Sequence, residues 1–138
     1  MVAFEPAHLH QIELQSAQYI ERTFIQPGYG EALASAGVAV TGMADGEPMV
    51  CAGVAKMWEG RGTAWLMMSA KAGPHMLTIT RKVKQFLDTL EFRRVEMDVV
   101  STFAAGHRWA TMLGFTHEGR REKYYPDGGA CDAYVRIR

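Results

Sequence analysis

Three residues in the second half of the chain have the chemistry to move protons. Glu96 and Asp98 alternate with apolar residues, so both carboxylates lie on the same face of a predicted strand. Two carboxylates held this close repel each other when charged, which raises the pKa of one of them towards that of a general base. His107 has an imidazole that exchanges a proton near neutral pH. These residues predict acid–base chemistry.

The same residues also have structural interpretations, which the sequence leaves open. Glu96 and Asp98 would equally form ion pairs with arginines such as Arg93 and Arg94 on a sheet face. His107 would equally be a surface residue or a residue at the start of a helix. The histidines and the two cysteines show no metal-ligand spacing, so we predict no metal site.

A second candidate site is the turn at residues 68–76, between an apolar run and a helical pattern. Residues 63–68 have the composition of a buried strand, and Gly73 and Pro74 are typical of a turn that begins a helix. A helix that begins directly after a strand presents unpaired backbone N–H groups, which favour an anion. The turn therefore predicts a phosphate site, to which Lys71 adds positive charge.

The composition is that of an ordinary globular protein. The chain has 138 residues, which fit a single domain at positions 1–138, and 48 % of them are hydrophobic. Fifteen basic residues balance fifteen acidic ones, which argues against a general nucleic-acid-binding protein. The two cysteines form no C-x-x-C pair, and no apolar run is long enough to span a bilayer. We therefore expect reduced cysteines, no membrane partner and a cytoplasmic location.

The elements that must position these residues follow from the spacing of apolar residues. Helices are predicted at 7–24, 31–36, 74–90 and 104–113, and strands at 2–4, 38–43, 49–57, 63–68, 94–100, 115–125 and 131–137. Asp45 and Gly46 signal a hairpin between the second and third strands. The order β-α-α-β-β-β-α-β-α-β-β predicts an α+β fold, in which helices flank a mixed, mainly antiparallel sheet with residues 63–68 at its centre. An exposed last strand would allow two copies to pair as a homodimer.

This element order resembles the GNAT superfamily, the acyl-coenzyme-A-dependent N-acetyltransferases. Residues 107–115, HRWATMLGF, look like the family's fourth helix with the Leu-Gly-Phe signature that follows it. The run YPDG at residues 125–128 is also similar to the family. With residues 70–76, 106–115 and 117–119, these motifs look most like the small GNAT-like proteins of tailed bacteriophages and prophages.

The resemblance implies a site for acetyl-coenzyme A at the turn after the fourth strand. The backbone N–H near Met68 would polarise the thioester carbonyl, and the acceptor amine would enter from the side of the first two helices. The expected cofactor-binding residues are Met68, Ser69, Lys71, Ala72, Gly73, His75, Met76 and Arg108. The catalytic candidates are Glu96, Asp98, His107 and Tyr124.

Two features depart from the family pattern. The family's phosphate loop reads Gln/Arg-x-x-Gly-x-Gly/Ala, whereas this turn has one glycine, and Pro74 lacks a backbone N–H. The family often has a tyrosine in the fourth helix as the acid for the leaving thiolate, and Ala110 stands at that position here. Tyr124 or Tyr125 would have to replace it.

Three functions agree with the sequence. The first, which we favour, is an N-acetyltransferase that moves an acetyl group from acetyl-coenzyme A to an unknown amine. The second is a catalytically inactive phage or prophage protein of the internal virion type, which acts in the virion or on a host protein. The third is a regulatory domain that binds an acyl-coenzyme A without turnover.

Overall fold

The computed structural model describes residues 1–138, which form one seven-stranded sheet with helices on both faces. The elements are β1 (Val2–Ala3), α1 (Pro6–Gln11), a 3-10 turn (Ser16–Gln18), α2 (Tyr19–Arg22), α3 (Tyr29–Ala36), β2 (Gly37–Ala44), β3 (Glu47–Trp58), β4 (Arg61–Met68), a 3-10 turn (Gly73–His75), α4 (Met76–Asp88), β5 (Arg94–Val100), α5 (Ala104–Met112), β6 (Thr116–Arg121) and β7 (Cys131–Ile137). The strand order is β1-β2-β3-β4-β5-β7-β6. The predicted α+β class, the mainly antiparallel sheet and the central position of β4 are confirmed.

Two apolar clusters fill the space between the sheet and its helices. The larger cluster packs α4 and α5 against one face, and Ile79, Val83 and Leu87 supply it with the buried stripe of α4. The smaller cluster packs α1 against the other face, where Leu9 and Cys51 are fully buried. Burial raises the pKa of the Cys51 thiol to about 11, so this thiol is a core group and not a nucleophile. No helix of the chain has the length and apolarity that crossing a bilayer requires.

The hairpin between β2 and β3 turns where the sequence predicts it. Asp45 and Gly46 have φ angles of 52° and 77°, the left-handed values that a two-residue type I′ turn requires at both positions. Further along β3, Gly53 lies against the indole of Trp65 on β4, and a Cβ at Gly53 would be 2.7 Å from that ring. The meander of β2, β3 and β4 therefore depends on a permissive turn and on one residue without a side chain.

The single helix predicted at residues 7–24 is wrong, because the chain becomes extended between α1 and α2. Leu14 forms an antiparallel bridge with Ser69, just beyond the end of β4. The backbone N–H of Gln15 donates to the carbonyl oxygen of Met68 at 2.9 Å. Pairing with the end of β4 satisfies backbone groups that a continuous helix would leave unpaired there.

The last strand is not an edge of the sheet. β7 lies between β5 and β6, so the expectation of an exposed last strand is wrong and the two edges are β1 and β6. β6 is also shorter than predicted and ends at Arg121. The chain then turns back, because the N–H groups of Tyr124 and Tyr125 both donate to the carbonyl oxygen of Gly129.

β4 and β5 are the one parallel pair of neighbours, and their pairing stops early. The ladder covers three residue pairs and ends where Thr63 faces Glu96. β4 continues to Met68 without pairing to β5, and β5 continues to Val100 paired only with β7. The sheet therefore opens between residues 64–68 of β4 and the second half of β5, and we call this opening the splay.

Candidate functional site

The splay leaves one edge of β4 without a neighbouring strand, and the side chain of Gln18 occupies that edge. The N–H of Ser69 donates to the carbonyl oxygen of Met49 in β3 at 2.8 Å. Since successive strand residues alternate in direction, the backbone groups of Met68 and Leu66 point the other way, into the splay. The Gln18 amide donates to the Leu66 carbonyl oxygen at 2.6 Å and accepts the Met68 N–H at 2.8 Å. It makes the two bonds that an adjacent strand would make.

Gln18 is held firmly in this position. Only 6 % of the residue is exposed, and the side-chain amide of Gln15 donates to its oxygen at 3.2 Å. The sequence analysis missed Gln18, because a glutamine inside a helical pattern carries no signal of burial. Only the long-range contact of the 3-10 turn at Ser16–Gln18 with β4 shows its role.

A half-buried carboxylate, Glu21, follows Gln18 by three residues on α2. Glu21 Oε2 is shielded from solvent and has no hydrogen-bond partner. Burial raises the pKa of Glu21 above its ordinary value, against smaller opposing effects of its own backbone N–H and of the Gln18 amide. Burial, with a smaller effect of the Glu21 charge, raises the pKa of the Tyr29 phenol. The pKa of Tyr125 is raised mainly by burial and by its hydrogen bond with the Cys131 thiol. The sequence analysis did not single out Glu21 either.

A contact between α2 and the β6–β7 loop bridges the two sides of the splay. The hydroxyl of Tyr19 donates to Asp127 Oδ2 at 2.9 Å. The N–H of Gly129 also donates to the Asp127 carboxylate, at 2.8 Å, and these two bonds hold the pKa of Asp127 below its ordinary value. Since the 3-10 turn just before α2 binds β4 through Gln18 and the loop leads into β7 beside β5, this contact joins the two borders of the opening.

In the turn after β4, the predicted anion donors are engaged. Ser69 and Ala72 are buried, and residues 73–75 form a 3-10 turn that directs N–H groups back onto the turn's own oxygens. The expectation that the first N–H groups of this helix are free is therefore wrong at these positions. The donors that bond within the turn are the N–H groups of Lys71, Ala72, His75 and Met76.

Two basic residues near the turn differ in whether they have an acidic partner. Lys71 Nζ lies 3.3 Å from both Glu13 Oε2 and Glu47 Oε2, and these hydrogen bonds raise the pKa of the lysine. Arg108 is exposed on α5 and forms no ion pair within the chain. Gly73 has open space where a Cβ would lie, so nothing in the fold requires a glycine there.

Glu96 and Asp98 share one face of β5, and each is paired with arginine. Arg61 and Arg94 approach Glu96 at 2.7 and 2.6 Å, and they hold its pKa below the ordinary value. Arg121 approaches Asp98 at 2.9 Å. The expected rise of a carboxylate pKa through mutual repulsion is wrong for Glu96, because the arginines stabilise its charged form.

His107 anchors α5 to the sheet. Its Nδ1 lies 2.7 Å from the Tyr134 hydroxyl, and its Nε2 lies 2.9 Å from the carbonyl oxygen of Ser101. Because a carbonyl oxygen only accepts, Nε2 carries a proton and donates to Ser101, and the Tyr134 hydroxyl is the hydrogen-bond partner of Nδ1. Both ring nitrogens are therefore engaged in structural hydrogen bonds.

The two tyrosines after β6 face different surroundings. Tyr124 is exposed, and the guanidinium of Arg121 lies 5.4 Å from its ring centre. Tyr125 is half-buried, and burial together with its hydrogen bond to the Cys131 thiol raises its pKa above the ordinary value. Ala110, at the position of the family's acid, is completely buried in the core between α5 and the sheet. Of the two tyrosines weighed as replacement acids, Tyr125 is the more buried.

No protein-family model and no curated protein matches the chain. Among solved structures, the chain is similar to Ard1 from Thermoplasma volcanium, with a TM-score of 0.76 and 12% identity over 98% of this chain and 94% of that one. It is also similar to the ribosomal-protein-S18-alanine N-acetyltransferase from Escherichia coli (TM-score 0.69, 16% identity, 98% and 90% covered). A third similar structure is a GNAT-family acetyltransferase from Bacillus anthracis (TM-score 0.68, 12% identity, 99% and 92% covered). The chain therefore has the GNAT fold over nearly its whole length.

Proposed function

We propose that this protein is an N-acetyltransferase that moves the acetyl group of acetyl-coenzyme A to an amine, with the splay as its active site. The observation that carries the proposal is the open edge of β4, where Leu66 and Met68 bind the side-chain amide of Gln18. The pantetheine arm of acetyl-coenzyme A contains secondary amides with the same N–H and C=O groups. These amides would pair with the β4 edge once Gln18 moves aside.

Acetyl transfer makes three demands on the site: a neutral amine, a polarised carbonyl and a proton for the leaving thiolate. The N–H of Met68 would polarise the thioester carbonyl, because it points into the splay and now donates to an amide oxygen. The pyrophosphate would lie at the turn of residues 69–76, where Lys71 and Arg108 supply positive charge. The acceptor would enter beside α1 and α2.

Thermal unfolding with and without acetyl-coenzyme A tests the proposal. Ligand at a hundred times its dissociation constant should stabilise the protein by about 2.7 kcal/mol. Thiol release with a panel of primary amines then reports transfer. ADP, which lacks the pantetheine amides, should stabilise the protein much less. Equal unfolding temperatures at millimolar acetyl-coenzyme A would contradict the proposal.

A second candidate is a non-catalytic interaction protein, and specific contacts favour it. Gln18 already fills the β4 edge, the N–H groups of the turn bond internally, and Ala110 is a core residue. Such a protein would be similar to the small GNAT-like proteins of phages and prophages that the sequence resembles, and would act in a virion or on a host protein. A homodimer of it would pair through the exposed edge of β6.

Acetyl-coenzyme A separates these candidates. Stabilisation with thiol release supports the transferase, which would be a cytoplasmic enzyme. Stabilisation without release, over the whole amine panel, supports a regulatory domain that binds the thioester. If acetyl-coenzyme A does not stabilise the protein at all, the result supports the interaction protein.

A further inference from the structure

We infer that the cavity bordered by α1, α2 and the turn after β4 binds a small carboxylate with an aliphatic chain. The inference goes beyond the proposed acetyl transfer and does not depend on it, because Leu66 and Met68, which would bind acetyl-coenzyme A, do not line this cavity. It gives a role to an arginine and to an apolar surface that the transferase reaction leaves unused.

The cavity has the size and the lining of a small-molecule site. Its volume is about 600 Å³, within the range of about 300–1,000 Å³ that is usual for ligand pockets. Its large apolar side chains are those of Leu9, Ile12, Leu14 and Ile25. The first three are buried members of the smaller core cluster and form the inner wall, whereas Ile25 is partly exposed. The aliphatic chain of a ligand would displace water from this apolar wall.

Arg22 supplies a cationic group at the edge of the cavity. Its Nη2 donates to the carbonyl oxygen of Leu14 at 3.2 Å, which holds the guanidinium beside the apolar wall. No carboxylate lies within ion-pair distance of Arg22, whereas Arg61 and Arg121 each have an acidic partner. A guanidinium presents several N–H donors in a planar fork that matches a carboxylate. The remaining donors of Arg22 are therefore free for a carboxylate ligand.

The other charged groups at the cavity also favour a negative ligand. Glu13 is the one acidic residue of the lining, and the ammonium of Lys71 compensates its charge from 3.3 Å. Arg22 has no such partner, and Glu21, which precedes it in the sequence, does not line the cavity. His10, the other basic residue of the lining, is exposed and would add only positive charge. A carboxylate at the mouth, with its chain against the apolar wall, therefore suits both kinds of surface.

The segment that lines the cavity is also bonded to the end of β4. The carbonyl oxygen of Glu13 accepts the N–H of Ala70 at 2.7 Å, and the N–H of Gln15 donates to the carbonyl oxygen of Met68 at 2.9 Å. Glu13, Leu14 and Ala70 also belong to the lining. A ligand that packs against them should keep these two hydrogen bonds closed, so both amide hydrogens should exchange more slowly when the cavity is occupied.

Hexanoate at pH 7 is the probe, and Arg22→Gln is compared with Arg81→Gln as the matched control. Arg81 is also an exposed helical arginine without an acidic partner, but it lies on α4. In NMR titrations without acetyl-coenzyme A, hexanoate should shift the methyl signals of Leu9 and Ile25 and slow the exchange of the two amide hydrogens at the end of β4. Arg22→Gln should weaken the binding of hexanoate at least about tenfold, and Arg81→Gln should leave it unchanged.

Two further probes separate the contributions of charge and chain. Hexylammonium has a similar chain with the opposite charge, and acetate has the same charge without the chain, so each should bind to the cavity at least about tenfold more weakly than hexanoate. Equal affinity of hexanoate and hexylammonium, equal affinity of the two variants for hexanoate, or shifts confined to residues outside the cavity would overturn the inference. Failure of acetyl-coenzyme A to bind would contradict the proposed transferase and leave this site intact.

Discussion

The side-chain oxygen of Gln18 accepts the backbone N–H of Met68 at 2.8 Å, so a residue of the α2 region completes an open strand edge. Gln18→Ala leaves this N–H and the carbonyl of Leu66 without partners. We expect a loss of about 1–3 kcal/mol in the free energy of unfolding, together with tighter binding of acetyl-coenzyme A, because the ligand no longer displaces a side chain. Urea unfolding and calorimetric titration measure the two effects.

The control for this prediction is Gln11→Ala, since Gln11 is exposed on α1. It should change neither stability nor affinity. Weaker binding of acetyl-coenzyme A to Gln18→Ala than to the control would show that the glutamine belongs to the ligand site and does not compete with it.

Lys71 tests whether the turn after β4 holds phosphate. Its ammonium lies between two exposed glutamates, and exposed ion pairs contribute little, so Lys71→Glu should cost less than about 1 kcal/mol of stability. Loss of a charged contact to pyrophosphate should weaken acetyl-coenzyme A binding about tenfold. Lys84→Glu is the control, because Lys84 is an exposed lysine on α4 that pairs with Asp88. Equal affinities in the two variants would remove Lys71 from the site.

The main sheet was predictable because its signals are local. The Asp45-Gly46 turn, the stripe of α4 and the alternation of β5 each appear within a few residues, and the structure confirms all three. The alternation in β5 also correctly put Glu96 and Asp98 on one face. Local alternation does not show that Arg61 of β4 forms an ion pair with Glu96. This ion pair lowers the pKa of Glu96, whereas repulsion between the two carboxylates was expected to raise it.

The site itself was hidden because its contacts are long-range. Leu14 and Ser69 are far apart in sequence, yet their bridge breaks the predicted helix and brings α2 to the β4 edge. Gln18 fits the helical pattern as well as any exposed residue would, so only tertiary structure shows that it faces the splay. The insertion of β7 between β5 and β6 is likewise a question of strand order, on which local alternation carries no information.

Asp132 provides a prediction on pH. The Ser101 hydroxyl and the ring of His117 hold the pKa of Asp132 below its ordinary value. A lowered carboxyl pKa stabilises the folded protein above the unfolded-state pKa of about 3.9, and this stabilisation is lost as pH falls through the folded value. Asp132→Asn should therefore unfold at a lower temperature than the wild type at pH 7, and the difference should shrink below about pH 4.

Unfolding temperatures of both proteins, measured between about pH 2 and pH 7, test whether the difference between them shrinks as the pH falls. Glu122→Gln serves as the control, because Glu122 is exposed and its ion pair with Arg120 lies at the surface. A difference between Asp132→Asn and the wild type that stays constant over the whole pH range would mean that the carboxyl charge of Asp132 contributes nothing.

Substitution by alanine should lower the stability of the protein at one glycine and raise it at another. A Cβ at Gly53 would lie 2.7 Å from both the Trp65 ring and the Val38 carbonyl oxygen, so Gly53→Ala should cost about 1–3 kcal/mol. Gly73 has open space around its missing Cβ and no left-handed backbone angle, so Gly73→Ala should stabilise by about 0.4–1 kcal/mol through the unfolded chain. Urea unfolding measures both, and a destabilised Gly73→Ala would show that the turn needs its glycine.

The three-residue ladder between β4 and β5 also has a mechanical consequence. It joins two panels: β1 to β4 on one side, and β5, β7 and β6 on the other, each held by its own long antiparallel ladders. We expect any motion that widens or narrows the splay to bend the sheet at this short seam, while every other strand pair stays intact. We expect amide hydrogens along the seam to exchange faster than those within either panel.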